Sequence, residues 1–569
     1  MQSETKNCQN CKKDFTIEPD DFSFYEKMKV EIPNFCHDCR LQRKLTWRNE
    51  RTLYKRDCNL CGKSVISVFS SDKIFPVYCH SCYHGTGWDP LSFGQEINFN
   101  TSFLEQFKNL QAKVPRQYAL VFNNINSDYT NGVGFSKNCY LVFVSDHNED
   151  CLYSYNIYYC RNSSDLLTCF NCELSYELFN CNNCQRCFFS IDCKDSYDLF
   201  FSKDCVNCHD LVGCVGLRNK SYCIFNEQYT KESYKKMVED IDLNSYMSLE
   251  KVKDKFFNIL KKYPVKYIHG VNNYNVTGDN VSNSKNTKYV FSGKEIEDSK
   301  YIINGNKAKD CYECYVAVDK SELCFDNLGC AETKNVKASH LPWSSYNLEY
   351  CDSCENCSDC IGCVSLSHKK YCILNKQYTE EEYLVIKNKI IKHIKDVPYK
   401  DKNDRVYLYG EFFPAELSPY NYNETIALFY YPLNKEEAIK QGYSWKEQDQ
   451  RNYQITLYSK DIPDKIDNVS ELIINEIIEC KNKGNYSEQC TTAFKVTLSE
   501  LELYKKLNLP LPHFCHNCRY YQRLNLENPR KLWHRKCMKE GCSNEFETSY
   551  APDRPEIVYC ERCYQNEVI

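Results

Sequence analysis

Cysteine pairs with the spacing C-x-x-C open the chain and could bind metal ions. The four pairs are Cys8/Cys11, Cys36/Cys39, Cys58/Cys61 and Cys79/Cys82. Zinc prefers four soft ligands in a tetrahedron, and each pair supplies two thiolates from one tight turn. Taken in chain order, the pairs predict two four-cysteine sites, C-x2-C-x24-C-x2-C and C-x2-C-x17-C-x2-C. Interleaved, cross-braced sites and buried free thiols are the alternatives.

The C-terminal end repeats this arrangement at an offset of 479 residues. The segment FCHDCR (35–40) returns as FCHNCR (514–519). Two positions differ: Ser487 stands where the first copy has Cys8, and the pair Cys537/Cys542 is two residues wider than its counterpart. We expect Cys480 to replace the missing ligand through a longer loop.

Four zinc sites are therefore predicted, two at each end of the chain. Sites with four cysteines leave no coordination position for water, so about four zinc ions should be structural and not catalytic. Each ion could contribute on the order of 10 kcal/mol to the folding of its small module. The predicted ligands are Cys8, Cys11, Cys36, Cys39, Cys58, Cys61, Cys79, Cys82, Cys480, Cys490, Cys515, Cys518, Cys537, Cys542, Cys560 and Cys563.

A basic spacer that also contains aromatic residues begins at the last arginine of FCHDCR (residues 40–56) and again at the last arginine of FCHNCR (residues 519–536). Guanidinium groups can neutralise phosphates and aromatic rings can stack on bases, so RNA or single-stranded DNA is a reasonable target. The alternative is a solvated helix face whose aromatic residues pack on the metal modules. The candidate nucleic-acid contacts are Arg40, Arg43, Lys44, Trp47, Arg48 and Arg51, and then Arg519, Arg523, Arg530, Trp533 and Arg535.

The middle of the chain carries cysteine at multiples of three residues. Every cysteine between positions 139 and 223 obeys this spacing, and most of the intervening triplet positions hold serine, leucine, valine or isoleucine. A thiolate ligand cannot be exchanged for leucine, whereas a free cysteine packs as a small buried hydrophobe. The pattern therefore predicts a core lined by thiols. Cys151, Cys169, Cys187, Cys205 and Cys223 are 18 residues apart, which suggests the stacked coils of a β-solenoid.

This middle region is itself duplicated at an offset near 149 residues. The segment that begins CVNCHDLVGC (205–214) returns as CENCSDCIGC (354–363), while Cys139 and Cys151 become Thr287 and Ser299. Such exchange favours packing over ligation. A zinc or iron–sulfur site within the dense run 351–363 and disulfides between coils are the alternatives.

The composition and the absence of common motifs limit the functions that we expect. The chain has 39 cysteines in 569 residues and a net charge of −5, so a nucleic-acid site requires a local basic patch. We expect a protein with no membrane span or export signal that lies in the reducing cytoplasm, where thiols persist. No nucleotide-binding loop and no H-E-x-x-H motif occurs, so we expect no enzyme and identify no small-molecule substrate.

The predicted fold is mainly β and multidomain, with tandem zinc ribbons at both termini flanking a duplicated cysteine-lined β-solenoid with helical caps. The aromatic-rich bridge is expected to pack on the solenoid flank or to form a peptide groove. The predicted regions are a tandem zinc-ribbon module (1–88), a helical linker (89–120), solenoid copy one (121–228), a helical cap and linker (229–266), solenoid copy two (267–377), a helical cap (378–402), the bridge (403–470) and a second zinc-ribbon module (471–569).

The duplicated C-x2-C … P-x-F-C-x2-C-R motif and the segment GCVGLRNKSYCIFNEQYTKESY (213–234) resemble large zinc-ribbon proteins of candidate-phyla bacteria. The terminal modules are similar to the family called probable zinc-ribbon domain. The resemblance implies zinc binding and no established activity. We therefore expect a non-enzymatic scaffold or adaptor that binds RNA, a ribonucleoprotein or another protein through its ribbons. Metal or thiol-redox buffering by the central cysteines is the alternative.

Overall fold

The computed structural model describes residues 2–306, 308–318, 321–447, 453–484 and 489–568. It is rich in β-sheet, and the described residues also form twelve α-helices. In chain order, α1 to α12 are Pro19–Met28, His37–Leu45, His80–Tyr83, Phe103–Gln111, Lys231–Ile241, Tyr246–Leu260, Glu380–Asp396, Ala427–Tyr430, Lys435–Lys440, Leu498–Leu507, His516–Leu524 and Glu561–Val568.

Two long ladders of short strands form the middle of the molecule, and the strands pair in parallel except for the last strand of each ladder, which pairs antiparallel. The first ladder consists of Val121–Phe122, Asn131–Gly134, Phe143–Asp146, Glu149–Leu152, Tyr155–Tyr158, Arg161–Phe170, Tyr176–Phe179, Asn182–Phe188, Lys194–Phe200, His209–Val212, Ser221–Ile224 and Glu227–Gln228. The second ladder consists of Gly270–Val271, Tyr274–Ser282, Lys285–Lys294, Tyr315–Val318, Glu322–Phe325, Leu328–Ala331, Lys334–Lys337, Tyr346–Glu349, Ser358–Ile361, Lys370–Ile373 and Lys376–Gln377.

The register of the first ladder repeats every 12 residues. Tyr155 pairs with Leu167, for example, and Leu199 pairs with Leu211. The 18-residue recurrence of cysteine therefore does not set the strand pairing, and that expectation was wrong. The second ladder has mostly the same register, but Tyr312 pairs with Phe325, so it contains one extra residue at this point.

A left-handed residue every third position explains how such short strands turn. From Asn138 to Asp210, every third residue has a φ angle between 45° and 60°. Asparagine and aspartate tolerate this conformation best, and they occupy many of these positions. Stacked side chains reinforce the turns: Asn138 Nδ2 donates to Asp150 Oδ1 at 2.9 Å, across one 12-residue repeat.

The residue after each left-handed position lies inside the ladder, which accounts for the cysteine pattern. Cys193 Sγ donates to the carbonyl oxygen of Ile191 at 3.3 Å, and Ser190 Oγ makes the same bond to Phe188 at 3.0 Å. Cysteine and serine thus satisfy the same backbone group. The interior of each ladder is a continuous cluster of buried cysteine, leucine, isoleucine and valine side chains.

A module at each end of the chain carries two β-hairpins. The hairpin strands are Glu4–Asn7 with Asp14–Ile17, Tyr54–Asp57 with Ser64–Ser67, Ile478–Glu479 with Ala493–Phe494, and Trp533–Lys536 with Glu545–Thr548. We call residues 2–88 the N-terminal module and residues 471–568 the C-terminal module.

Each module contacts both ladders. In the N-terminal module, Val77–Tyr78 pairs in parallel with Arg116–Gln117, just before the first ladder begins. In the C-terminal module, Val558–Tyr559 pairs in the same way with Val265–Lys266, just before the second ladder. Helix α2 of the N-terminal module contacts the second ladder, whereas α11 of the C-terminal module contacts the first. Each module therefore links the two ladders, with a strand beside the start of one ladder and a helix against the other.

The segment from Val406 to Tyr443 packs between the N-terminal module and the second ladder. Its aromatic residues Tyr407, Phe412 and Phe413 are buried in one cluster with helices α2, α4 and α7. Residues 448–452 of the predicted bridge lie outside the described residues. In the described part of the chain, no helix is both long enough and apolar enough to cross a bilayer.

Candidate metal centres

The sixteen terminal cysteines form four groups, and each group could hold one metal ion. Within each group all sulfur atoms lie within 4.8 Å of one another. The groups are Cys8/Cys11/Cys36/Cys39, Cys58/Cys61/Cys79/Cys82, Cys480/Cys490/Cys515/Cys518 and Cys537/Cys542/Cys560/Cys563. The pairs combine in chain order and do not interleave. Four sulfur atoms at this separation suit a tetrahedral thiophilic ion.

A hairpin turn and a helix start build the first group. Cys8 and Cys11 lie in the turn between the strands Glu4–Asn7 and Asp14–Ile17, while Cys36 is the N-cap residue of α2 and Cys39 lies in its first turn. Two hydrogen bonds reach the sulfurs: Cys36 N donates to Cys8 Sγ, and Asn10 Nδ2 donates to Cys39 Sγ, both at 3.3 Å. Such donors stabilise the thiolate form that binds metal.

The same backbone hydrogen bond occurs in all four groups. The N–H of the third cysteine donates to the sulfur of the first at 3.2 or 3.3 Å, in the pairs Cys36→Cys8, Cys79→Cys58, Cys515→Cys480 and Cys560→Cys537. Cys480 thus takes the place of Cys8, although ten residues separate it from Cys490. Position 487, which aligns with Cys8, lies outside the described residues.

The pKa values of the thiols within one group are shifted in opposite directions. Burial alone would raise the pKa of Cys79, but hydrogen bonds from Ser81 and from the backbone and side chain of Cys82 lower it to about 6. The neighbouring Cys61 and Cys79 sulfurs in turn raise the pKa of Cys82. A group of this kind releases protons when a cation binds, because four thiolates can coexist only around a positive charge.

The cysteines of the ladders differ from the terminal ones. All of them are buried free thiols, and among the described residues none belongs to a group of three or more ligand atoms. Burial raises the pKa of Cys151 and of Cys187 well above the ordinary value. Their sulfurs donate to backbone carbonyl oxygens, as Cys187 does to Gln185 at 3.5 Å. They fill the ladder interior as buried side chains that hydrogen-bond to the backbone.

The basic residues of α2, predicted to face nucleic acid, are buried against the second ladder. Arg40 Nη2 lies 2.5 Å from Glu313 Oε1, and Lys44 Nζ lies 2.5 Å from Asp326 Oδ1. Arg43 Nη2 lies 3.5 Å from the other oxygen of Asp326. All five side chains are at most 4 % exposed, so these cations cannot reach a phosphate.

Helix α11 makes the equivalent contact with the first ladder. Arg519 and Arg523 both approach Asp165, at 3.0 and 2.9 Å, and Arg523 also lies 2.7 Å from Glu177. Arg519 is further paired with Glu500 of α10 at 3.5 Å. These arginines correspond to Arg40 and Lys44 in the repeated module.

The similar spacing of side chains on the helix and on the ladder explains why both modules make this ion-pair contact. Residues four apart on a helix rise about 6 Å, and adjacent strands of a sheet lie about 4.8 Å apart. Two cations at i and i+4 can therefore meet two acids on successive repeats. Asp165 and Glu177 are 12 residues apart, whereas Glu313 and Asp326 are 13 apart because of the extra residue. All four acids occupy left-handed positions.

The remaining candidates for nucleic-acid contact also have partners within the chain. Trp47 is buried beside Phe413, Arg48 pairs with Glu50 at 2.6 Å, and Arg51 lies 3.5 Å above the ring of Tyr520. In the C-terminal module, Arg530 stacks on Tyr430, Trp533 is half-buried, and Arg535 donates to the carbonyl oxygen of Ala551. The predicted basic surface is replaced by internal contacts.

Distance along the chain explains why the internal partners of the spacer residues were not expected from the sequence. The acids that pair with α2 lie about 270 residues later, and nothing in the local sequence indicates them. A comparison with protein-family models and one with curated proteins find no match for this chain.

Proposed function

We propose that the chain is a non-enzymatic scaffold held together by four structural zinc ions. One observation supports the proposal most strongly. In each module, the helix that begins at a four-cysteine group also carries the cationic side chains that pair with buried acids of a ladder. Cys36 caps α2, and Cys515 caps α11, so the ligands and the ion-pairing residues share one helix. The zinc-ribbon resemblance of the modules agrees with this proposal.

The ladders would be β-solenoids with 12-residue coils of four triplets each. The parallel register and the left-handed residue at every third position support this architecture. α5 and α7, which directly follow the last strands of the ladders, would cap their open edges.

The scaffold would bind a macromolecule, and the ion pairs of α2 and α11 favour a protein partner over RNA. Cations that are already paired and buried have no free charge for a phosphate backbone. Buffering of metal or redox equivalents by the ladder thiols has less support, since these thiols are buried and hydrogen-bonded to backbone. The free thiols are consistent with a cytoplasmic location.

Zinc removal followed by limited proteolysis tests the scaffold. We expect a strong chelator to expose α2 and α11 to cleavage while the ladders persist as resistant fragments, because the modules depend on metal and the ladders on packing. Equal resistance of the modules with and without chelator would contradict the proposal.

Crosslinking in cells tests the partner class. The full chain is compared with a variant that lacks residues 471–568, and the recovered nucleic acid is sequenced. No enrichment over the truncated chain agrees with a protein partner, and specific RNA enrichment would overturn that choice.

A further inference from the structure

The four cysteine groups differ in how far solvent reaches them. The second cysteine of each group shows the difference most clearly. Cys11 and Cys61 of the N-terminal module are exposed, whereas Cys542 of the C-terminal module is half-buried and Cys490 is buried. The two modules therefore share one ligand pattern but protect it from solvent to different degrees.

The second and third cysteines lie close together in every group. The Sγ–Sγ distances are 3.7 Å in Cys11/Cys36, 3.8 Å in Cys61/Cys79, 3.9 Å in Cys542/Cys560 and 4.0 Å in Cys490/Cys515. Reaction of a cysteine with a reagent in solution depends on its thiolate character and on its exposure. Because the four distances are so similar, exposure would set the order in which these pairs react.

The charge near the exposed cysteines also distinguishes the two modules. In each group, the N–H of the first cysteine donates at 2.9 Å to the carbonyl oxygen of the residue that closes the turn. This residue is Lys13 or Lys63 in the N-terminal module, but Thr492 or Asn544 in the C-terminal module. Both lysines are exposed. A cation in the same turn favours the thiolate, which is the reactive form of cysteine.

The cysteines of the ladders are shielded from solvent. All of them are buried, and their sulfurs donate to backbone carbonyl oxygens, as Cys193 does to Ile191 at 3.3 Å. A reagent in solution therefore meets the cysteines of the N-terminal module before those of the ladders.

We propose that the pairs Cys11/Cys36 and Cys61/Cys79 are oxidation sites, and that a peroxide converts each pair to a disulfide and releases its zinc ion. This inference rests on the proposed function, since it takes the groups to hold zinc. The N-terminal module would respond to the oxidant, whereas the C-terminal module would keep its two ions.

The reaction with hydrogen peroxide balances within one group. The exposed thiolate attacks a peroxide oxygen and becomes a sulfenic acid as hydroxide leaves, and the second thiolate then displaces another hydroxide to form the disulfide. The two remaining thiolates take up protons as zinc dissociates. One peroxide and four protons thus give one disulfide, two thiols, two water molecules and one free zinc ion.

Oxidation would act on the contacts of the N-terminal module with both ladders. Cys36 is the N-cap residue of α2, which contacts the second ladder. Cys79 directly follows Val77–Tyr78, the strand that pairs with Arg116–Gln117 at the start of the first ladder. Loss of these two ions would weaken both contacts, while the C-terminal module would stay in place.

Treatment of the full-length, zinc-loaded chain with hydrogen peroxide tests the proposal. Zinc release is followed with a colorimetric indicator, and disulfides are mapped by mass spectrometry over time. We expect about two zinc ions to leave with formation of the Cys11–Cys36 and Cys61–Cys79 disulfides, about five-fold or more faster than the other two ions. Release of all four ions in one phase, no release, or disulfides that form first in the C-terminal module or the ladders would overturn the proposal.

The same experiment separates this inference from the scaffold proposal. A chain that contains no zinc before peroxide is added would contradict the scaffold, and the disulfide map alone would then decide which pairs are reactive. A chain that holds four zinc ions and loses all of them together would contradict only the present inference.

A pair of lysine variants tests the contribution of the turn. Lys63→Asn copies the residue of the C-terminal module and should slow formation of the Cys61–Cys79 disulfide about two-fold or more, with no loss of zinc beforehand. Lys55→Asn, an exposed position on a strand of the same hairpin, is the matched control and should leave the rate unchanged. Equal rates in the two variants would contradict the part assigned to the turn lysine.

Discussion

The contact between α2 and the second ladder should break when the charge of Asp326 is removed. Asp326 is fully buried and accepts from Lys44 Nζ at 2.5 Å and from Phe412 N at 2.8 Å, with Arg43 at 3.5 Å. In the Asp326→Asn variant, Arg43 has no carboxylate within ion-pair distance, and Lys44 keeps only Glu313. An unpaired buried charge costs about 3–5 kcal/mol.

Urea unfolding followed by tryptophan fluorescence can measure this loss, because the buried Trp47 lies two residues after α2. We expect the transition that releases the N-terminal module to lose about 3–5 kcal/mol in Asp326→Asn. The matched control is Asp310→Asn, which removes the exposed ion pair between Lys27 and Asp310 and should cost about 0–1 kcal/mol. Equal effects of the two substitutions would refute the reasoning.

The pH dependence of the same transition follows from the same contact. Burial alone would raise the pKa of Asp326, but Lys44 and Arg43 outweigh it and hold the pKa below its ordinary value. A lowered folded-state pKa contributes stability above the unfolded value near pH 4, and this contribution is lost as the pH falls further. The Asp326→Asn variant should therefore lose less stability in acid than the unmutated chain.

Two further predictions concern single side chains. Burial alone would lower the pKa of His269, but Asp279 at 2.9 Å outweighs it and raises the pKa to about 9. Its contribution of about 3 kcal/mol is present below pH 6.5 and lost as the pH rises through 9. The urea midpoint should therefore fall over this pH interval, and it should depend less on pH in His269→Gln. Cys193→Ser should cost about 1 kcal/mol or less, since serine donates the same bond, and should leave the zinc content unchanged. Cys39→Ser should remove about one zinc ion per chain, and loss of metal from both variants or from neither would contradict the distinction.

The metal groups were predictable because their ligands are mostly close in the chain. A C-x-x-C pair is recognisable within four consecutive residues. The repeated FCHNCR segment identified Cys515 and Cys518 as ligands, although position 487 holds serine where the first copy has a cysteine. Even Cys480, ten residues from Cys490, could be assigned, because one sulfur was lacking and one cysteine was near.

The ladder register could not be predicted from cysteine spacing. Every third residue points inward, so any coil length that is a multiple of three keeps the inward columns intact. The recurrence from Cys151 to Cys223 suggested 18 residues, but the pairing depends on backbone hydrogen bonds between repeats, such as that from Phe179 N to the Ser190 carbonyl. Backbone hydrogen bonds do not depend on particular side chains, so the residue types do not show which positions pair.

Contacts between distant segments were the least predictable. The acids that pair with α2 lie in the second ladder, and the groups that meet at Asp352 likewise come from separate segments, such as Gln111, Arg116 and His340. Their meeting depends on the way each module crosses to the opposite ladder. The residues that join a module to a ladder are far apart in the sequence, so one sequence alone does not show which of them pair.

Metal content with coordination chemistry tests the central claim most directly. The full-length chain, purified without added metal, is measured by elemental analysis and by X-ray absorption at the zinc edge. The account predicts about four zinc ions per chain, each surrounded by sulfur alone at about 2.3 Å. Iron in the purified protein, or zinc well above four equivalents bound by ladder cysteines, would contradict it.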